Sequence, residues 1–436
     1  MNVSPEIAAL LVARGYDEPE QAKRFLKPSL THLHDPLAMS GMEVAVERLA
    51  RAIERGETVL VHGDYDVDGI CSTAMMIRVL RRLGGKAVPF IPHRLRDGYD
   101  LSEAGVRAAH EVGAKVVLTC DCGTSAHEAV ERLVSSGVDV IVSDHHLARA
   151  MPPACLALLN PRLPTCPYPD KDLCAAGIAF KLAVALLRHM GANVNFAYNM
   201  LDLVALATVA DVAPLRGENR VLVRYGLRLM GESRLPGVRA LVEAAGLEGK
   251  PLTAGRVGFI LAPRLNAVGR MDWGLRGVQL LLAEEEAEAR KLAREFEELN
   301  RRRQELDRET LDSARRMLEA PGAMDRRGVV LASEGWHPGV IGIVASRLVE
   351  EIHRPVVLVA LDGEIGKGSG RSIPKFDLHA GLVRCSDLLL RFGGHRAAAG
   401  LTVLSEQVPA LEERFDEVAT EALSDDDLCP ELRIDL

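Results

Sequence analysis

Short apolar runs alternate with longer amphipathic segments between residues 58 and 160. The apolar runs read TVLVHG, AVPFIPH, AKVVLTCD, VDVIVSD and CLALLNP, and most of them are rich in β-branched residues. The segments between the first four runs read ICSTAMMIRVLRRLGG, LSEAGVRAAHEVG and AHEAVERLVSSG, and each ends in glycine. This alternation predicts βαβ units that build a parallel, doubly wound α/β sheet.

The rest of the chain has a different pattern of apolar and polar residues. Residues 175–246 are predicted to be mostly helical. The segment LLAEEEAEARKLAREFEELNRRRQELDRETLDSARRMLEA lacks glycine and proline, which indicates one long, charge-rich helix. Beyond it, GVVLAS and RPVVLVALDG are typical of strands in a second α/β unit. We therefore predict a helical segment at 1–50 packed on a domain at 51–280, a connector helix at 281–321 and a smaller α/β domain at 322–436.

Acidic and histidine side chains follow three of the predicted strands. The first strand ends in HGDYDVDG with Asp64, Asp66 and Asp68, the third in CDCG with Asp121, and the fourth in SDHH with the triplet 144–146. Because ligands bind beyond the carboxyl ends of strands in an open parallel sheet, we expect these groups to converge there. TVADVAPL adds Asp211 after an apolar helical stretch.

Converging carboxylates repel one another unless cations lie between them. Aspartate and histidine without thiolates suit Mn²⁺ or Mg²⁺ better than structural zinc, and the number of anionic ligands favours two ions. Two such ions about 3.5–4 Å apart promote phosphoryl displacement by water. A single aspartate after a strand is commonly a helix N-cap, but capping does not explain three such strand ends together. The pattern therefore predicts phosphoester hydrolysis.

Composition adds little to this interpretation. The chain of 436 residues is 48% hydrophobic and 26% charged, which is ordinary for a globular protein of two or more domains. No apolar run is long enough to span a bilayer, and the N-terminus lacks the pattern of a signal peptide, so we expect a cytoplasmic protein without membrane contact. The net charge of −8 argues mildly against nucleic acid, although a local basic groove is compatible with it.

Candidate anion-binding residues lie further along the chain. GKGSGRS and RFGGHRAAAG are rich in glycine, so backbone N–H groups can approach an anion closely, and Arg371 and His395 are available to contact phosphate oxygens. APRLNAVGR places Arg264 and Arg270 on a predicted loop before the connector helix. Plain turns and solvated arginines remain the alternative explanation for these features.

The ordered set GDYDVDG, DCG, SDHH and ADVAPL resembles the DHH superfamily of phosphoesterases. The later PRLNAVGR, WHPGVIGIVASRL, GSGRS and GGHRAAAG narrow this resemblance to the RecJ family of single-strand-specific exonucleases, with its DHH-associated second domain. The resemblance covers nearly the whole chain. It implies a hydrolase that degrades single-stranded DNA from the 5′ end in DNA repair and recombination, with two Mn²⁺ or Mg²⁺ ions. DGYDLS departs from the family by carrying Asp100 where relatives usually have glycine.

The resemblance also implies roles for individual residues. Asp121 would bridge the two ions, and His146 would contact the scissile phosphate or help to hold the metal centre. Asp64 and Asp144 would lie behind the ligands. The implied metal ligands are Asp66, Asp68, Asp121, His145, Asp211 and His62. The residues implied to bind the strand are Arg264, Asn266, Arg270, Arg371, Ser372, Gly394 and His395.

Two alternatives stay open from the sequence. One is a DHH-family phosphodiesterase that acts on short oligonucleotides or nucleotide phosphates, and the other is a non-catalytic single-strand DNA-binding scaffold. We expect a monomer, with a single-strand-binding protein or a helicase as candidate partners. Relatives usually continue into an OB-fold beyond the point where this chain ends, so the resemblance implies a catalytic core that cuts DNA but holds it poorly.

Overall fold

The computed structural model describes residues 3–94, 96–98, 100–148 and 151–432. The chain divides into two compact units, Met1–Asn300 and Arg301–Leu436. The predicted first and last domains extend at the two termini over residues outside the described ranges, and the predicted domain bounds stay a prediction. Within the described ranges, no helix combines the length and apolar character needed to cross a bilayer.

A parallel sheet forms the centre of the first unit. Its strands are β1 (Thr58–Gly63), β2 (Lys86–Phe90), β3 (Val116–Cys120), β4 (Asp139–Ser143) and β5 (Ala157–Leu159). They pair in the order β2-β1-β3-β4-β5 with every pairing parallel, which confirms the predicted doubly wound α/β fold. The strand order reverses between β1 and β3. This switch point is where open α/β sheets bind ligands.

Helices pack on both faces of this sheet, and further helices surround them or lead on from this unit. They are α1 (Pro5–Ala13), α2 (Pro19–Leu26), α3 (Met42–Arg55), α4 (Val67–Arg82), α5 (Glu103–Glu111), α6 (His127–Ser135), α7 (Ala175–His189), α8 (Asn195–Tyr198), α9 (Leu201–Ala210), α10 (Gly217–Met230), α11 (Pro236–Ala244), α12 (Ala254–Arg256), α13 (Ala262–Met271), α14 (Leu275–Leu282) and α15 (Glu286–Leu318). The division between the two units falls within α15, which occupies most of the predicted connector.

Alternate residues of each strand pack on opposite layers, as the two-residue period of a strand requires. Val59 and Val61 of β1 join a core with α3, α4 and α7. Leu60 points to the other face and joins α5 and α6, with Val106 and Val130. The sheet is thus buried on both sides, and its carboxyl edge is the part left for binding.

The segment with Arg264 and Arg270 is helical, so the predicted loop there is wrong. The helix α12 continues through a π-helical turn, Val257–Leu261, into α13. Pro263 lies in the first turn of α13, where its missing N–H and fixed φ are tolerated. The two arginines therefore lie on a regular helix.

The second unit has a mixed sheet. Its strands are β6 (Val329–Glu334), β7 (Val356–Asp362), β8 (Ile365–Arg371), β9 (Leu389–Gly394) and β10 (Ala398–Leu404), in the order β6-β7-β8-β10-β9. Only the β6–β7 pairing among these described strands is parallel, and the others are antiparallel. The helices are α16 (Ile341–Ile352), α17 (Leu378–Val383) and α18 (Val408–Ala422). The predicted smaller α/β unit is thereby confirmed.

The glycine-rich segments of this unit form strands. Gly366, Gly368 and Gly370 alternate along β8 and face the core. A Cβ atom on Gly368 would lie 2.5 Å from Leu401 Cδ1, and one on Gly366 would lie 2.6 Å from Val359 Cγ1. The glycines therefore make room for large side chains of the neighbouring strands.

Candidate metal centre

Backbone hydrogen bonds hold the acidic residues in register at the carboxyl edge of the first sheet. The N–H of Asp64 donates to Cys120 O (3.2 Å), and that of Asp121 donates to Ser143 O (3.0 Å). The N–H of Asp144 donates to Leu159 O (3.0 Å). Each strand end is thus tied to the next across β1, β3, β4 and β5. The predicted convergence of these loops follows directly from the parallel ladder.

The first loop folds tightly against the start of α4. Asp66 caps the helix, because its Oδ1 accepts hydrogen bonds from the N–H of Asp68 (2.9 Å) and of Gly69 (3.1 Å). A Cβ atom on Gly69 would lie 2.4 Å from Asp64 O, so only glycine permits this approach. The loop can therefore present three carboxylates within five residues.

Three overlapping groups of donor atoms lie close enough to hold cations, each group within 4.8 Å. The groups are Asp64, Asp66 and Asp121; Asp68, His145 and Asp211; and Asp121, His145 and His146. Asp121 and His145 each belong to two groups. His145 Nε2 lies 3.1 Å from Asp121 Oδ1 and 3.8 Å from Asp68 Oδ2, and its Nδ1 lies 3.8 Å from Asp211 Oδ2. The shared residues suit a pair of adjacent ions.

Protein partners compensate the charges in these groups only in part. Burial, and then the charges of neighbouring aspartates, raise the pKa values of Asp64, Asp68 and Asp121 well above the usual range for aspartate. The pKa of Asp211 rises to about 6 for the same two reasons. Burial, together with the charge of His146, lowers the pKa of His145 to about 3, so this imidazole is neutral and able to bind a metal.

Several donor atoms lack hydrogen bonds. In the part of the chain that the structure describes, no hydrogen-bond partner reaches Asp64 Oδ1, Asp121 Oδ1 or either ring nitrogen of His145. Buried polar atoms in proteins are almost always satisfied, so four such atoms in one place indicate a missing partner. Divalent cations with oxygen and imidazole ligands fit this donor set.

Asp144 holds the loop that follows β4 through hydrogen bonds to its carboxylate. Its carboxylate accepts hydrogen bonds from the N–H groups of Thr124 (2.9 Å), His145 (2.7 Å) and His146 (3.1 Å), and from the His146 ring (2.7 Å). Burial alone would raise the pKa of Asp144, but the bond with His146 and its charge lower it. Burial would lower the pKa of His146, but Asp144 raises it to about 9. His146 is therefore a half-exposed cation beside the donor groups. This geometry agrees with the supporting role predicted for Asp144.

Two predicted roles fit this geometry less well. Asp64 was expected behind the ligands, but its carboxylate belongs to the first donor group. His62 belongs to none of the three groups found among the described residues. Its Nδ1 lies 3.4 Å from Cys122 Sγ, and a Cβ atom on Gly105 would lie 2.8 Å from its Nε2. Burial lowers the pKa of His62 to about 4. The structure therefore offers no support for His62 as a ligand.

The predicted strand-binding residues of the first unit make intramolecular contacts. Arg264 donates from Nε to Glu297 Oε2 (2.5 Å) and from Nη1 to Ile260 O (2.6 Å). Asn266 Oδ1 accepts from the N–H of Val67 (3.2 Å) and so fixes the first turn of α4. Arg270 lies one turn further along α13, and its charge acts on Tyr65 in the first loop. Asn266 and Arg270 thus act on the loop with the carboxylates, whereas Arg264 is held by the π-helical turn and α15.

The strand-binding residues predicted in the second unit lie together at one end of its sheet. The N–H of Ser372 donates to Ala397 O (3.1 Å), and the N–H of His395 donates to Ala398 O (2.8 Å). Arg371 pairs with Ala398 in the ladder. Gly394 has φ of 149°, and a Cβ atom there would lie 2.4 Å from Ala398 O. The structure thus brings Arg371, Ser372, Gly394 and His395 together.

Two arginines near the donor groups were not predicted. Arg94 lies over the ring of Tyr65, 4.9 Å from its centroid, and its charge lowers the pKa of Asp64 against the larger effect of burial. The charge of Arg162 acts on His145 and Asp211. Both arginines lie in loops that follow strands β2 and β5. Ligands bind beyond the carboxyl ends of strands in such a sheet, and this rule predicted the aspartates. Applied to the ends of β2 and β5 as well, it would have pointed to the two arginines.

Comparison with known proteins gives matches over most of the chain. Residues 58–208 match the model of the DHH family, N-terminal domain, and residues 325–421 match that of the DHHA1 domain. The single-stranded-DNA-specific exonuclease RecJ of Bacillus subtilis is 39% identical over the whole chain, which spans 55% of that relative's length. The Escherichia coli protein of the same name is 40% identical over 96% of the chain, which spans 75% of the relative.

Solved structures agree with these matches. A crystal structure of exonuclease RecJ bound to manganese has 38% sequence identity and a TM-score of 0.80, and the match covers 89% of this chain and 96% of that one. RecJ of Thermus thermophilus in complex with Mn²⁺ has 37% identity and a TM-score of 0.83 over 96% of this chain and 59% of that one. The fold predicted from the strand pattern is therefore shared with manganese-binding proteins.

Proposed function

The chain belongs to the DHH family, within the RecJ group of single-stranded-DNA-specific exonucleases, and we propose that it hydrolyses the phosphodiester bonds of single-stranded DNA from the 5′ end with two Mn²⁺ or Mg²⁺ ions. One observation carries this proposal. Overlapping groups of mostly buried carboxylates and imidazoles, some of whose atoms lack a partner among the described residues, occupy the switch point of the sheet. The direction of hydrolysis, from the 5′ end, rests on the family resemblance alone.

The donor groups suggest how the ions would be held. Asp64, Asp66 and Asp121 would hold one ion, and Asp68, His145 and Asp211 the other. When bound, the ions supply an activated water and stabilise negative charge on the displaced oxygen. Asp121 belongs to the first of these groups, and its Oδ1 lies 3.1 Å from Nε2 of His145 in the second. A carboxylate between the two groups suits the predicted bridging role.

His146 has a separate task in this proposal. Its imidazolium is half-exposed, is held by Asp144 and belongs to the group that contains Asp121 and His145. A cation in this position would bind a non-bridging oxygen of the scissile phosphate and orient the phosphodiester. Asp144 fixes the ring that performs this task.

Exposed apolar side chains beside the ligands favour a substrate with bases over a simple phosphate ester. Leu147 follows His146 and is 72% exposed, and Val212 follows Asp211 and is 85% exposed. Phe259 is 88% exposed on the π-helical turn, which packs on α9 directly before Asp211. Aromatic side chains bind single strands by stacking on bases, and apolar side chains pack against exposed bases. This argues against a phosphate ester that has no base. Short oligonucleotides and nucleotide phosphates, which both carry bases, stay as second candidate substrates.

The remaining parts of the proposal rest on family resemblance. We infer a cytoplasmic monomer, with a single-strand-binding protein or a helicase as the protein partner. A non-catalytic DNA-binding scaffold is disfavoured, because it would have no need for so many uncompensated carboxylates.

Digestion of end-labelled DNA tests the proposed activity. Single-stranded and blunt duplex DNA, labelled at either end, would be incubated with Mn²⁺, Mg²⁺ or EDTA, with a dinucleotide as a further substrate. We expect a 5′ label to be released at once from single strands, a 3′ label to remain on progressively shorter strands, and EDTA to stop both. Equal rates on duplex DNA, or activity in EDTA, would contradict the proposal. Faster cleavage of the dinucleotide would favour the second candidate.

A further inference from the structure

The first turn of α10 holds the chain segment that precedes α7. The N–H of Glu218 donates to Asp170 Oδ2 (2.6 Å), and Arg216 donates through Nε (2.8 Å) and Nη2 (2.7 Å) to Asp172 Oδ2. Tyr168 Oη donates to Glu218 Oε2 (2.6 Å). We call these contacts the α10 clasp. Its members are Tyr168, Asp170, Asp172, Arg216, Glu218 and Asn219.

Asn219 lies at the centre of the clasp and is fully buried. Its Nδ2 donates to Asp172 O (2.6 Å) and to Pro214 O (3.2 Å). One amide group therefore joins two chain segments that are more than forty residues apart in sequence. Within four residues of these contacts, one segment reaches the backbone amides that hold a candidate metal ligand, and the other reaches a candidate ligand itself.

The first segment leads to Asp68. Three residues after Asp172, the N–H groups of Ala175 and Ala176 at the start of α7 each donate to the Asp68 carboxylate at 2.7 Å. The second segment leads to Asp211, which lies three residues before Pro214. Asp68 and Asp211 lie on either side of His145, both 3.8 Å from its ring nitrogens. The clasp thus joins the supports of two ligands in one donor group.

The other donor group is built without the clasp. Asp64 and Asp66 belong to the loop after β1, and Asp121 follows β3. Their positions depend on the ladder bonds to Cys120 and Ser143 and on the capping of α4. A change at Asn219 should therefore act on one group much more than on the other.

The interior of the clasp is buried, and its charges are paired. Glu218 is buried and forms an ion pair with Lys181, and its Oε1 also accepts from the N–H of His34 (2.7 Å). Lys181 Nζ in turn donates to His34 O (2.9 Å). A general role in stability would explain why these charges are paired. It does not explain why the donor end of Asn219 has two carbonyl partners while its Oδ1 has none among the described residues.

We propose that Asn219 is a positioning residue that sets the separation of Asp68 and Asp211 and thereby the affinity of one cation of the pair. The proposal rests on the proposed two-ion centre. Asn219 does not contact the ions or the substrate. It acts through the amides of Ala175 and Ala176 on one side and through the loop of Asp211 on the other.

Titration of the metal-free protein with Mn²⁺ tests this proposal. Free Mn²⁺ would be followed by electron paramagnetic resonance and heat by calorimetry. The wild-type protein should bind two ions. Asn219→Asp keeps the shape of the side chain but loses the donor, and it should weaken one binding step by about 10–100-fold, the range found when a support of a metal ligand is lost. The other step should change by less than about twofold.

Two further variants keep the result interpretable. Arg216→Ala removes the exposed end of the clasp, so it should fold even if Asn219→Asp does not, and it should weaken the same step to a smaller extent. Asn193→Ala is the matched control, because Asn193 is exposed and its side chain accepts only the local bond from the N–H of Asn195 (2.9 Å) among the contacts described for it. It should leave both steps unchanged.

The outcomes separate the clasp from the proposed function. Two unchanged steps in the clasp variants, or equal weakening of both steps, would overturn the role of Asn219 while leaving the two-ion centre intact. Binding of a single ion by the wild-type protein would overturn the two-ion centre and the selectivity of the clasp together. Loss of one step alone, in variants with an unchanged circular dichroism spectrum, supports the proposal.

Discussion

Replacing Asp121 by asparagine should stabilise the metal-free protein and abolish hydrolysis. Asp121 is 2% exposed, and the aspartates whose charges raise its pKa are Asp66, Asp68, Asp64 and Asp144. Asparagine keeps the shape of the side chain and removes one negative charge. It also tolerates the backbone at this position, where φ is 71°, whereas alanine would add about 1 kcal/mol of strain.

The size of the effect follows from burial and charge. Two like charges 4 Å apart repel by about 4 kcal/mol at an effective dielectric constant of 20. Proton uptake relieves part of this, so we expect a gain of about 1–3 kcal/mol in the free energy of unfolding, within the usual range for single substitutions. At about 2–4 °C per kcal/mol, the melting temperature should rise by roughly 2–12 °C.

The gain should depend on pH. The pKa of Asp121 is raised in the folded protein, so the folded state binds more protons than the unfolded state, and the stability of the wild-type protein falls as the pH rises above the ordinary pKa of aspartate. Below about pH 4 both states are protonated, and the two proteins should then melt alike. The difference should be largest at neutral and alkaline pH.

Differential scanning calorimetry in EDTA at pH 4 and pH 8 measures this effect. Adding Mn²⁺ should then stabilise the wild-type protein much more than the variant, since binding stabilises by about 2.7 kcal/mol at a hundredfold excess over Kd. Asp17→Asn makes an equal charge change at an exposed position and is the control. It should leave the melting temperature in EDTA and the stabilisation by Mn²⁺ as they are in the wild-type protein. A variant that melts below the wild-type protein at pH 8 in EDTA would refute the reasoning, as would retained nuclease activity.

Three further substitutions have defined outcomes. Asp144→Asn should lower kcat by about 10–100-fold and move the alkaline limb of the pH–rate profile to lower pH, because the pKa of His146, raised to about 9, would lose its carboxylate partner. Phe259→Ala should raise KM for long single strands by about 5–150-fold but not for an abasic strand, since one stack is worth about 1–3 kcal/mol. Lys181→Met should lower the stability measured by urea denaturation by about 3–5 kcal/mol, because it leaves Glu218 buried without its ion pair, and Glu218→Leu in the same chain should recover most of the loss.

The sequence predicted both the sheet and the convergence of the donor residues at its edge, because the two depend on the same rule. Apolar runs of strand length alternate with helices, and this pattern alone favours a parallel sheet with one binding edge. The aspartates and histidines that end those runs must then meet. Asp66, Asp68, Asp121, His145 and Asp211 were all predicted as ligands, and all lie in the donor groups.

The placement of the Asp64 and His62 side chains was harder to predict, because the direction of a side chain matters as well as its position in the sequence. His62 is the last residue but one of β1, and the alternation of the strand turns its ring toward α5, where Gly105 leaves room for it. Asp64 follows the strand in an irregular loop without a side-chain period. Its direction is set by the close approach of Gly69, which no local pattern reveals.

The helix that replaces the predicted loop shows a different limit. The segment of Arg264 and Arg270 was predicted to be a loop. It contains Pro263, and proline inside a helix normally removes a hydrogen bond and clashes with the preceding turn. The π-helical turn, Val257–Leu261, places the proline at the start of a new α-helical segment and so avoids this conflict. π-Turns of this kind are rare and often found at functional sites, and here the turn carries the exposed Phe259.

Backbone strain is concentrated in the same loops as the unpaired charge. Among the described non-glycine residues with positive φ, Asp100 (74°), Asp121 (71°) and Val212 (56°) all lie in or beside the loops of the donor groups, and His353 lies elsewhere. Such residues are each strained by about 1–3 kcal/mol and persist only where neighbours hold them. Asp100 is an example of a strained residue held by a neighbour. Its Oδ1 accepts a hydrogen bond from the N–H of Gly123 (2.7 Å), which lies two residues after Asp121.

This strain has a consequence for metal binding. A bound cation can relieve the repulsion between carboxylates, but it does not relax a backbone held in the left-handed region by hydrogen bonds to the sheet. The strained loops must therefore be held by the fold itself, through the ladder bonds of Asp64, Asp121 and Asp144. The donor groups are then arranged before any ion arrives. Binding should accordingly change the charge and stability of the protein strongly, and the backbone of these loops very little.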